Sequence, residues 1–420
     1  MDYFGKRILI LGGGSSGLSA CEVLKNLGAQ THLINDTRTV ILENDFIKGF
    51  DLCIISPGIS IRDINVSKCL ENGVKVMSEL ELGYTLSNSR LIGITGTNGK
   101  TTTVSIISKI LSDAGIDNEP LGNIGTPFSS RAQKYGNDSV LPIEVSSFQL
   151  EAIHDFKPDI AAITNITPDH LDRHLTMQKY IECKMKLFSN QTKSDFAIIN
   201  YDQPEIFPYF KTESNKLYIS TQQQVQGAYS LNGRMYIDGK YLMRTNDLKI
   251  IGTHNVYNAL MAGLCTYLCG IDIENIRNTL KEFSGVKHRL QHVGTLDGIN
   301  FLNDSKATNP DAAIVAIKSM KIPTILILGG SDKGLGYLDF FNDIKNNYKK
   351  IKYFVVCGAV KNRMLQAISD CGLNNKTVEA DNFTDAFYKS VELARSLSPC
   401  NVLLSPACSS FDEFVNFEAR

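Results

Sequence analysis

Short apolar runs alternate with segments of helical spacing along most of the chain. Residues 91–94 include branched apolar side chains, and residues 103–111 carry apolar side chains three to four positions apart. The first pattern is typical of a buried strand and the second of an amphipathic helix. The same succession opens the chain, with a strand at 7–11 and a helix at 18–27. This alternation predicts an α/β fold.

The repeated strand–helix alternation predicts three domains in the 420 residues. We expect the first domain at 1–88, a central α/β domain at 89–285, and a doubly wound sheet at 286–420. Within the central domain, residues 227–251 alternate in polarity around an Asn-Gly and an Asp-Gly pair, which predicts a β-hairpin.

Composition narrows the class of protein. Apolar residues make up 43% and charged residues 21% of the chain, and the formal net charge of −1 argues against a nucleic-acid-binding surface. No apolar run approaches the roughly 20 residues that cross a bilayer, so we expect no membrane insertion. The N-terminal residues lack a secretory cleavage pattern, and the ten cysteines contain no CxxC pair. A reducing, cytoplasmic location is therefore expected.

Glycines follow the first predicted strand at the spacing G-x-G-x-x-G. Gly12, Gly14 and Gly17 lie between that strand and a helix, and Asp36 follows the next strand. This pattern is typical of a helix N-terminus that binds a phosphate-bearing ligand, often a dinucleotide. Close packing of the helix on the strand, without a ligand, remains the alternative. Gly58 lies in a further turn after a strand, where ligands of such sheets usually bind.

A second glycine-rich turn follows the apolar run at 91–94. Gly96 and Gly99 precede Lys100 and Thr101 at the start of a predicted helix. Backbone N–H groups of such a turn bind phosphate, the lysine reaches the β- and γ-phosphates, and the threonine hydroxyl suits Mg²⁺. Only two residues separate the glycines, where the usual P-loop has four, and a glycine turn without a ligand is the alternative. We interpret the turn as an ATP site.

Isolated polar side chains near this turn suggest further chemistry. Glu144 lies in an apolar strand, where a carboxylate must be paired or bind a cation, and Mg²⁺ is favoured over a salt bridge. An ionisable cluster at 169–174 follows another strand. Lys184 and Lys186 on the next helix, taken alone, predict a solvated face. Asn255 and Asn258 share a helix face and could read an adenine edge or cap the helix.

Six sequence blocks together resemble the Mur ligases over essentially all 420 residues. The short ATP loop is the form found in that family. The final block, continued by residues 416–420, is similar to members that add D-glutamate. The blocks are Gly-Thr-Asn-Gly-Lys-Thr-Thr at 96–102, Glu-Val-Ser-Ser-Phe-Gln-Leu at 144–150, Asp-His-Leu-Asp-Arg-His at 169–174, His-Asn-x-x-Asn at 254–258, Asn-Asp-Ser-Lys-Ala-Thr-Asn at 303–309 and Ser-Pro-Ala-Cys-Ser-Ser-Phe-Asp-x-Phe at 405–414.

The resemblance implies a fold and a reaction. The fold is α/β with three domains: an N-terminal Rossmann-like domain, a central P-loop ATPase-type α/β domain, and a C-terminal Rossmann-like doubly wound sheet. The reaction is the ATP-dependent addition of D-glutamate to UDP-N-acetylmuramoyl-L-alanine through an acyl phosphate, in peptidoglycan precursor synthesis. It implies a monomer with ATP, two Mg²⁺ sites and a carbamylated Lys184, and no nucleic-acid partner.

The resemblance also implies roles for individual residues. The catalytic residues are Lys100, His170 and Lys184, with His170 a candidate general base. ATP contacts are expected at Gly96, Thr97, Asn98, Gly99, Lys100, Thr101, Thr102, Asn255, Asn258, Arg289 and Asp304. The Mg²⁺ ligands are Thr101, Glu144, His170 and Lys184. The UDP substrate is expected at Ser15, Ser16, Asp36, Thr37, Arg38, Gly58, Asn123 and His170. D-Glutamate is expected at Lys306, Thr308, Lys333, Ser410 and Phe417.

Other functions stay open from the sequence. Another Mur ligase or a folylpolyglutamate synthase carries related blocks. The glycines at 12–17 alone are also compatible with an NAD-dependent oxidoreductase, although the Gly-Lys-Thr turn speaks against it. A non-catalytic nucleotide-binding module is the third alternative.

Overall fold

A computed structural model describes residues 2–250, 252–331 and 336–420. The chain divides into two compact units. The first consists of Met1–Lys249 with His254–Phe283, and the second of Ile250–Thr253 with Ser284–Arg420. The domain boundaries expected at residues 88 and 285 stay predictions. None of the ten cysteines forms a disulfide. Among the described residues, no helix is long and apolar enough to span a bilayer.

A four-stranded parallel sheet opens the first unit, in the order β2-β1-β3-β4. Alternate side chains of β1 enter two separate apolar clusters, one on each face, because helices cover both sides. This is the doubly wound arrangement expected of a Rossmann-like sheet. Its elements are β1 (Arg7–Leu11), α1 (Ser15–Asn26), β2 (Gln30–Ile34), α2 (Asn44–Ile47), β3 (Leu52–Ile55), α3 (Ile64–Glu71), β4 (Lys75–Ser78) and α4 (Glu79–Leu86).

The second sheet of this unit has nine strands, in the order β13-β12-β11-β10-β9-β8-β5-β7-β6. Its strands from β6 to β11 pair in parallel. Its elements are β5 (Arg90–Thr95), α5 (Lys100–Asp113), β6 (Leu121–Gly122), β7 (Val140–Glu144), α6 (Ser147–Leu150), β8 (Ile160–Ile163), α7 (Leu171–His174), α8 (Met177–Met185), β9 (Phe196–Asn200), β10 (Asn215–Ser220), β11 (Gly227–Leu231), β12 (Arg234–Ile237), β13 (Lys240–Arg244), α9 (Thr253–Leu268) and α10 (Ile273–Glu282).

Two hairpins close one edge of the nine-stranded sheet. β11, β12 and β13 pair antiparallel. The turn residues Asn232, Gly233, Asp238 and Gly239 all have positive φ. Two-residue turns of this kind match the twist of paired strands, and Asn-Gly and Asp-Gly accept such φ values at little cost. The hairpin predicted from the sequence is therefore confirmed, and a second hairpin adjoins it.

The second unit contains a six-stranded sheet, in the order β14-β15-β19-β16-β17-β18. Only the edge strand β14 runs antiparallel, and apolar clusters lie on both faces. The doubly wound prediction is confirmed. Its elements are β14 (Gln291–Leu296), β15 (Ile299–Asn303), α11 (Pro310–Lys318), β16 (Thr324–Gly329), α12 (Leu338–Asn347), β17 (Ile351–Cys357), α13 (Lys361–Asp370), β18 (Thr377–Glu379), α14 (Phe383–Arg395) and β19 (Cys400–Leu404).

Candidate functional site

The glycine-rich turn joins β5 to α5 and leaves no room for side chains at its two glycines. Gly96 has a φ of +142° and Gly99 a φ of +86°. A Cβ at Gly96 would lie 2.0 Å from Thr164 Oγ1, and one at Gly99 would lie 2.3 Å from Asn258 Oδ1. The backbone of the turn therefore lies close to Thr164 and Asn258. Helix α5 begins at Lys100, directly after the turn. A helix N-terminus of this kind is suited to phosphate.

Asn165, just beyond β8, fixes the tip of the turn. Its Oδ1 accepts from the backbone N–H of Asn98 at 3.0 Å, and its Nδ2 donates to the Asn98 carbonyl at 2.9 Å. The Thr164 hydroxyl donates to the same carbonyl at 2.6 Å. Asn165 was not among the site residues predicted from the sequence. The only signal was its position after a buried strand that pairs with β5.

The amides of Asn255 and Asn258 support the turn from α9. Asn258 Nδ2 donates to Asn255 Oδ1 at 2.9 Å, and Asn258 Oδ1 accepts from the Thr103 hydroxyl at 3.4 Å. Both asparagines are buried and lie inside the helix, which begins at Thr253. They therefore do not act as its N-cap, which was the structural alternative. The structure places them behind Gly99.

Two lysines converge on the Gly96 carbonyl. Lys100 Nζ donates to it at 2.8 Å and to the Thr97 carbonyl at the same distance. Lys184 Nζ donates to the Gly96 carbonyl at 2.8 Å and lies 4.8 Å from the centre of the Tyr180 ring. Burial, followed by the nearby Lys100 charge, lowers the pKa of Lys184 well below its ordinary value.

The two lysines of α8 and its continuation lie in different environments. Lys184 is only 2% exposed, whereas Lys186 is exposed and donates to the Glu151 carbonyl at 3.1 Å. The prediction of a solvated face from the sequence alone is therefore wrong for Lys184. The apolar residues of α8 carry it inward, so that its amine lies beside the turn.

Glu144 has an unpaired carboxylate oxygen at the edge of the sheet from which the glycine-rich turn leaves β5. It ends β7, which pairs with β5 so that Ile94 lies opposite Glu144. Glu144 is 3% exposed, and its Oε1 accepts from Asn123 Nδ2 at 2.9 Å. Its Oε2 is buried and has no hydrogen-bond partner among the described residues. Such an oxygen is costly unless a cation or donor is supplied, and Mg²⁺ takes oxygen ligands of this kind.

Thr101 supplies a second oxygen on the first turn of α5, and it is 4% exposed. The described residues contain no group of three or more His, Cys, Asp or Glu side chains that could hold a metal. Glu144 and Thr101 each offer an oxygen, and a cation at either would need further ligands from elsewhere. Nucleotide phosphates and water are the usual source of those ligands for Mg²⁺.

His170 lies directly before α7, as its N-cap, in a left-handed conformation with a φ of +53°. Its ring packs edge-on against Phe148, with 4.8 Å between the ring centres, and its Nε2 lies 3.4 Å from Asp169 Oδ2. The nearby His174 is buried, donates to or accepts from the Ser147 hydroxyl at 3.0 Å, and has its pKa lowered by burial. His170 is the more exposed of the two histidines.

The first sheet gathers its predicted residues at one edge. Ser15 and Ser16 begin α1 after β1, and the other residues follow the neighbouring strands β2 and β3. A Cβ at Gly17 would lie 1.9 Å from the Gly12 carbonyl oxygen, so the close-packing role of this glycine is real. The residues that follow β2 and β3 are Asp36, Thr37, Arg38 and Gly58.

Asp36, Thr37 and Arg38 lie just after β2, and each interacts with another side chain through its charge or its hydroxyl. Arg38 donates to both carboxylate oxygens of Asp36 at 2.9 Å, which lowers the pKa of Asp36. Thr37 is buried, and its hydroxyl donates to Asp63 Oδ2 at 2.7 Å. Arg38 is largely exposed and Asp36 is partly exposed, while Gly58 has open space where a side chain would lie. The Thr37 hydroxyl therefore already has a partner within the protein.

The second unit holds a buried carboxylate at Asp304. Its Oδ1 accepts from the Leu290 N–H at 3.0 Å and its Oδ2 from the Ser405 hydroxyl at 2.7 Å. Burial raises the pKa of Asp304 to about 6, although both hydrogen bonds and the nearby Arg289 charge oppose that rise. Asp304 thereby ties the loop after β15 to the loop after β19.

The predicted D-glutamate residues lie around these loops. Lys306 Nζ is 5.5 Å from the centre of the Phe417 ring, and Thr308 follows on the same loop. Ser410 is 2% exposed. Lys333 lies outside the described residues. Arg420, which our sequence analysis did not assign a role, donates to the carbonyls of Ser305, Gly329, Cys408 and Ser409 and so joins three loops.

The chain is similar to known proteins over its whole length. Residues 94–266 match the family model of the Mur ligase middle domain, and residues 288–408 match the Mur ligase, glutamate ligase domain. A UDP-N-acetylmuramoylalanine–D-glutamate ligase of Caldanaerobacter subterraneus subsp. tengcongensis is 37% identical over 100% of this chain and 97% of the relative. The protein of that name from Clostridioides difficile (strain 630) is also 37% identical, with the same coverage.

A solved structure shows the same fold. The UDP-N-acetylmuramate–alanine ligase of Thermotoga maritima superposes with a TM-score of 0.59, at 17% sequence identity, and covers 96% of both chains. The expected α/β fold with three-domain architecture is therefore confirmed.

Proposed function

The chain belongs to the Mur ligase family, and we propose that different loops of the chain bind ATP, a sugar nucleotide and D-glutamate. It is an ATP-dependent ligase that adds D-glutamate in peptidoglycan precursor synthesis. The acceptor is UDP-N-acetylmuramoyl-L-alanine. The single observation that best supports the residue assignment is the buried, weakly basic Lys184 beside the glycine-rich turn.

The reaction needs an activated carboxylate. A carboxylate at neutral pH repels an amine and lacks a good leaving group. In the proposed sequence, the alanyl carboxylate attacks the γ-phosphorus of ATP and ADP leaves, which gives an acyl phosphate. The amine of D-glutamate then attacks the acyl carbon, loses a proton and expels phosphate. An amide bond results. The protein contributes chiefly positioning and charge neutralisation.

The turn at 96–102 positions the triphosphate in this proposal. The backbone N–H groups at the start of α5 and the Lys100 ammonium neutralise phosphate oxygens. Lys100 leaves its two carbonyl partners to do so. Asn98 is held by Asn165, so the backbone need not reorganise when the nucleotide binds. Asn255, Asn258, Arg289 and Asp304 complete the proposed nucleotide contacts.

Glu144 and Thr101 would hold one Mg²⁺, for which the unpaired Glu144 oxygen is the supporting observation. His170 and a modified Lys184 would hold a second. Bound Mg²⁺ would supply Lewis-acid stabilisation of the phosphoryl oxygens. His170, more exposed than His174, is also the candidate base that takes the proton from the attacking amine, a role that requires its imidazole to be free of the metal at that step.

Lys184 fits carbamylation because its amine is buried and its pKa is lowered. The neutral nitrogen attacks the carbon of CO₂ and releases one proton to water, and the product is an anionic carbamate. A lysine of ordinary pKa would be almost entirely protonated at neutral pH and unreactive. The change converts a cation that repels metal ions into an oxygen ligand.

The other proposed contacts follow strands of the first sheet and β6, or lie at His170 and in the second unit. Thr37 would bind the sugar nucleotide through its backbone, because its hydroxyl donates to Asp63. The residues proposed to bind the sugar nucleotide are Ser15, Ser16, Asp36, Thr37, Arg38, Gly58, Asn123 and His170. D-Glutamate takes Lys306, Thr308, Lys333, Ser410 and Phe417. We further propose a monomeric, cytoplasmic enzyme with domains at 1–88, 89–285 and 286–420.

Phosphate release tests this function. The purified protein is given ATP, Mg²⁺, bicarbonate and UDP-N-acetylmuramoyl-L-alanine, with D-glutamate, L-glutamate, L-lysine or diaminopimelate in separate reactions. Among the four amino acids, we expect only D-glutamate to give phosphate release. Release with L-lysine or diaminopimelate but not with D-glutamate would refute the assignment and indicate another Mur ligase. Sedimentation of the same material tests the monomer.

A further inference from the structure

Arg173 joins the first sheet to the candidate metal site within the first unit. Its guanidinium donates from NH1 to the Pro57 carbonyl and from NH2 to the Ile59 carbonyl, both at 2.8 Å. These carbonyls belong to the residues on either side of Gly58, which is proposed to bind the sugar nucleotide. Arg173 therefore fixes both flanks of a ligand-binding loop that belongs to a different sheet.

Glu151 holds the guanidinium in place. Its Oε1 accepts from Arg173 Nε at 3.0 Å and its Oε2 from Arg173 NH2 at 2.6 Å. The Oε2 atom also accepts from the Ile61 N–H, at 3.4 Å. Both side chains are about nine-tenths buried, with exposures of 10% and 9%. A paired and desolvated arginine fork of this kind has a fixed geometry.

Phe148 connects the same guanidinium to His170. The Arg173 guanidinium carbon lies 4.0 Å from the centre of the Phe148 ring, and the His170 ring packs edge-on against that ring at 4.8 Å. His170 also lies three residues before Arg173 in the sequence, at the N-cap of the short helix that carries Arg173. One side chain therefore contacts both the loop that carries Gly58 and the ring that packs against His170.

We propose that Arg173 is a positioning residue that aligns the sugar-nucleotide loop at 57–61 with His170. This inference rests on the proposed function. The acceptor is long, with a uridine at one end and the reacting carboxylate at the other. Holding both binding elements from one rigid group keeps that carboxylate in register with the phosphoryl group. Arg173 does this without contacting the reacting atoms.

Arg173→Lys is the first test, because lysine keeps the charge opposite Glu151 but cannot span both carbonyls with a fixed fork. We expect binding of UDP-N-acetylmuramoyl-L-alanine, measured by calorimetry without ATP or Mg²⁺, to weaken about tenfold. We expect kcat to fall between about tenfold and about a hundredfold, with the KM for ATP within about twofold of the parent value.

Phe148→Leu tests the contact of Arg173 with His170 separately from its contacts with the loop at 57–61. It removes the ring between Arg173 and His170 but leaves the two carbonyl contacts. We expect kcat to fall while calorimetric binding of the sugar nucleotide stays within about twofold of the parent. Lys157→Met is the matched control, since it removes a partly buried ion pair to Asp195 in the same unit. We expect the control to change stability without changing either KM.

Three results would overturn the inference: unchanged sugar-nucleotide binding in Arg173→Lys, equal loss of affinity for ATP and sugar nucleotide, or the same kinetic changes in the Lys157→Met control. Thermal unfolding of each variant establishes that the compared proteins are folded. Failure of the proposed function is distinguishable, because the parent enzyme would then release no phosphate with D-glutamate.

Discussion

Lys100 and Lys184 donate to the same oxygen, the carbonyl of Gly96, over 2.8 Å in each case. Two ammonium groups that share one acceptor repel each other, and burial of Lys184 adds a desolvation cost. Both effects favour the neutral amine of Lys184, in agreement with the direction of its pKa. Nucleotide phosphates would draw Lys100 away, and a carbamate on Lys184 would reverse the sign of its charge.

The first prediction concerns CO₂. Below its folded pKa, Lys184 is an ammonium ion and cannot react with CO₂, so at a fixed CO₂ concentration activity should rise with pH as the amine becomes neutral. At a fixed pH, added bicarbonate should raise activity. Lys184→Ala should lose at least about a hundredfold in turnover and recover part of it with formate or acetate. The exposed Lys186→Ala is the control and should keep its activity. An enzyme indifferent to bicarbonate, with no rescue, would contradict carbamylation.

The free energy of unfolding reports independently on the protonation of Lys184. Because the pKa of Lys184 is lowered on folding, the unfolded chain binds more protons between the folded value and about 10.4. The free energy of unfolding should therefore rise with pH through that window. Lys184→Met should lack this increase. The comparison is made by denaturant unfolding of both proteins in CO₂-free buffer, and parallel pH profiles would exclude the titration of Lys184.

Lys100→Ala tests the phosphate-binding role. Loss of the ammonium should reduce kcat by about a hundredfold to about a thousandfold and weaken ATP binding, since the transferring phosphoryl group loses a compensating charge. Binding of the sugar nucleotide should be unchanged. Lys109→Ala, on the exposed side of the same helix, removes only a surface pair with Asp113 and serves as control. Retained turnover in Lys100→Ala would favour a nucleotide-binding module without catalysis at this turn.

Gly99→Ala tests the close approach of the turn to α9. The left-handed conformation costs a non-glycine residue about 1–2 kcal/mol, and the added methyl would meet the Asn258 amide. ATP affinity should fall. Gly136→Ala is the control, because that glycine has open space and no positive φ. Calorimetric titration with ATP measures the parent and both variants, and equal affinities would show that the turn tolerates a side chain.

Local sequence patterns predicted the strands and the glycine-rich turn because both depend on neighbours along the chain. They predicted a single helix carrying both Lys184 and Lys186, but the α-helix ends at Met185 and Lys186 begins a 3-10 helix. They also placed the start of α1 too late, at residue 18, since glycine and serine have low helix propensity.

Contacts between distant segments could not be read from the sequence. Asn165 supports Asn98 only because β8 pairs with β5 in one register. Arg173 reaches Pro57 across more than a hundred residues. The unpaired oxygen of Glu144 likewise depends on which side chains pack around it. The pattern indicated a carboxylate in an apolar strand, but its partners follow from tertiary packing.

Asp304 provides a pH-dependent prediction for the second unit. Its pKa is raised to about 6 in the folded protein, against about 3.9 when unfolded. Between these values the folded state binds more protons, so stability from this group is present below about pH 4 and is lost as pH rises through about 6. The expected loss is about 3 kcal/mol. Asp304→Asn should remove it, because the amide can accept from the Leu290 N–H and donate to the Ser405 hydroxyl.

Amide hydrogen exchange in β16 measures this effect in the second unit alone. Wild-type protection should decline between about pH 4 and about pH 6, after correction for the intrinsic exchange rate, while that of Asp304→Asn should stay level. Asp370→Asn, at the exposed end of α13, is the control and should follow the wild type. If Asp304→Asn and the wild type declined in parallel, another group would have to carry the titration, and Asp304 would be ionised in the folded protein at a lower pH than its burial implies.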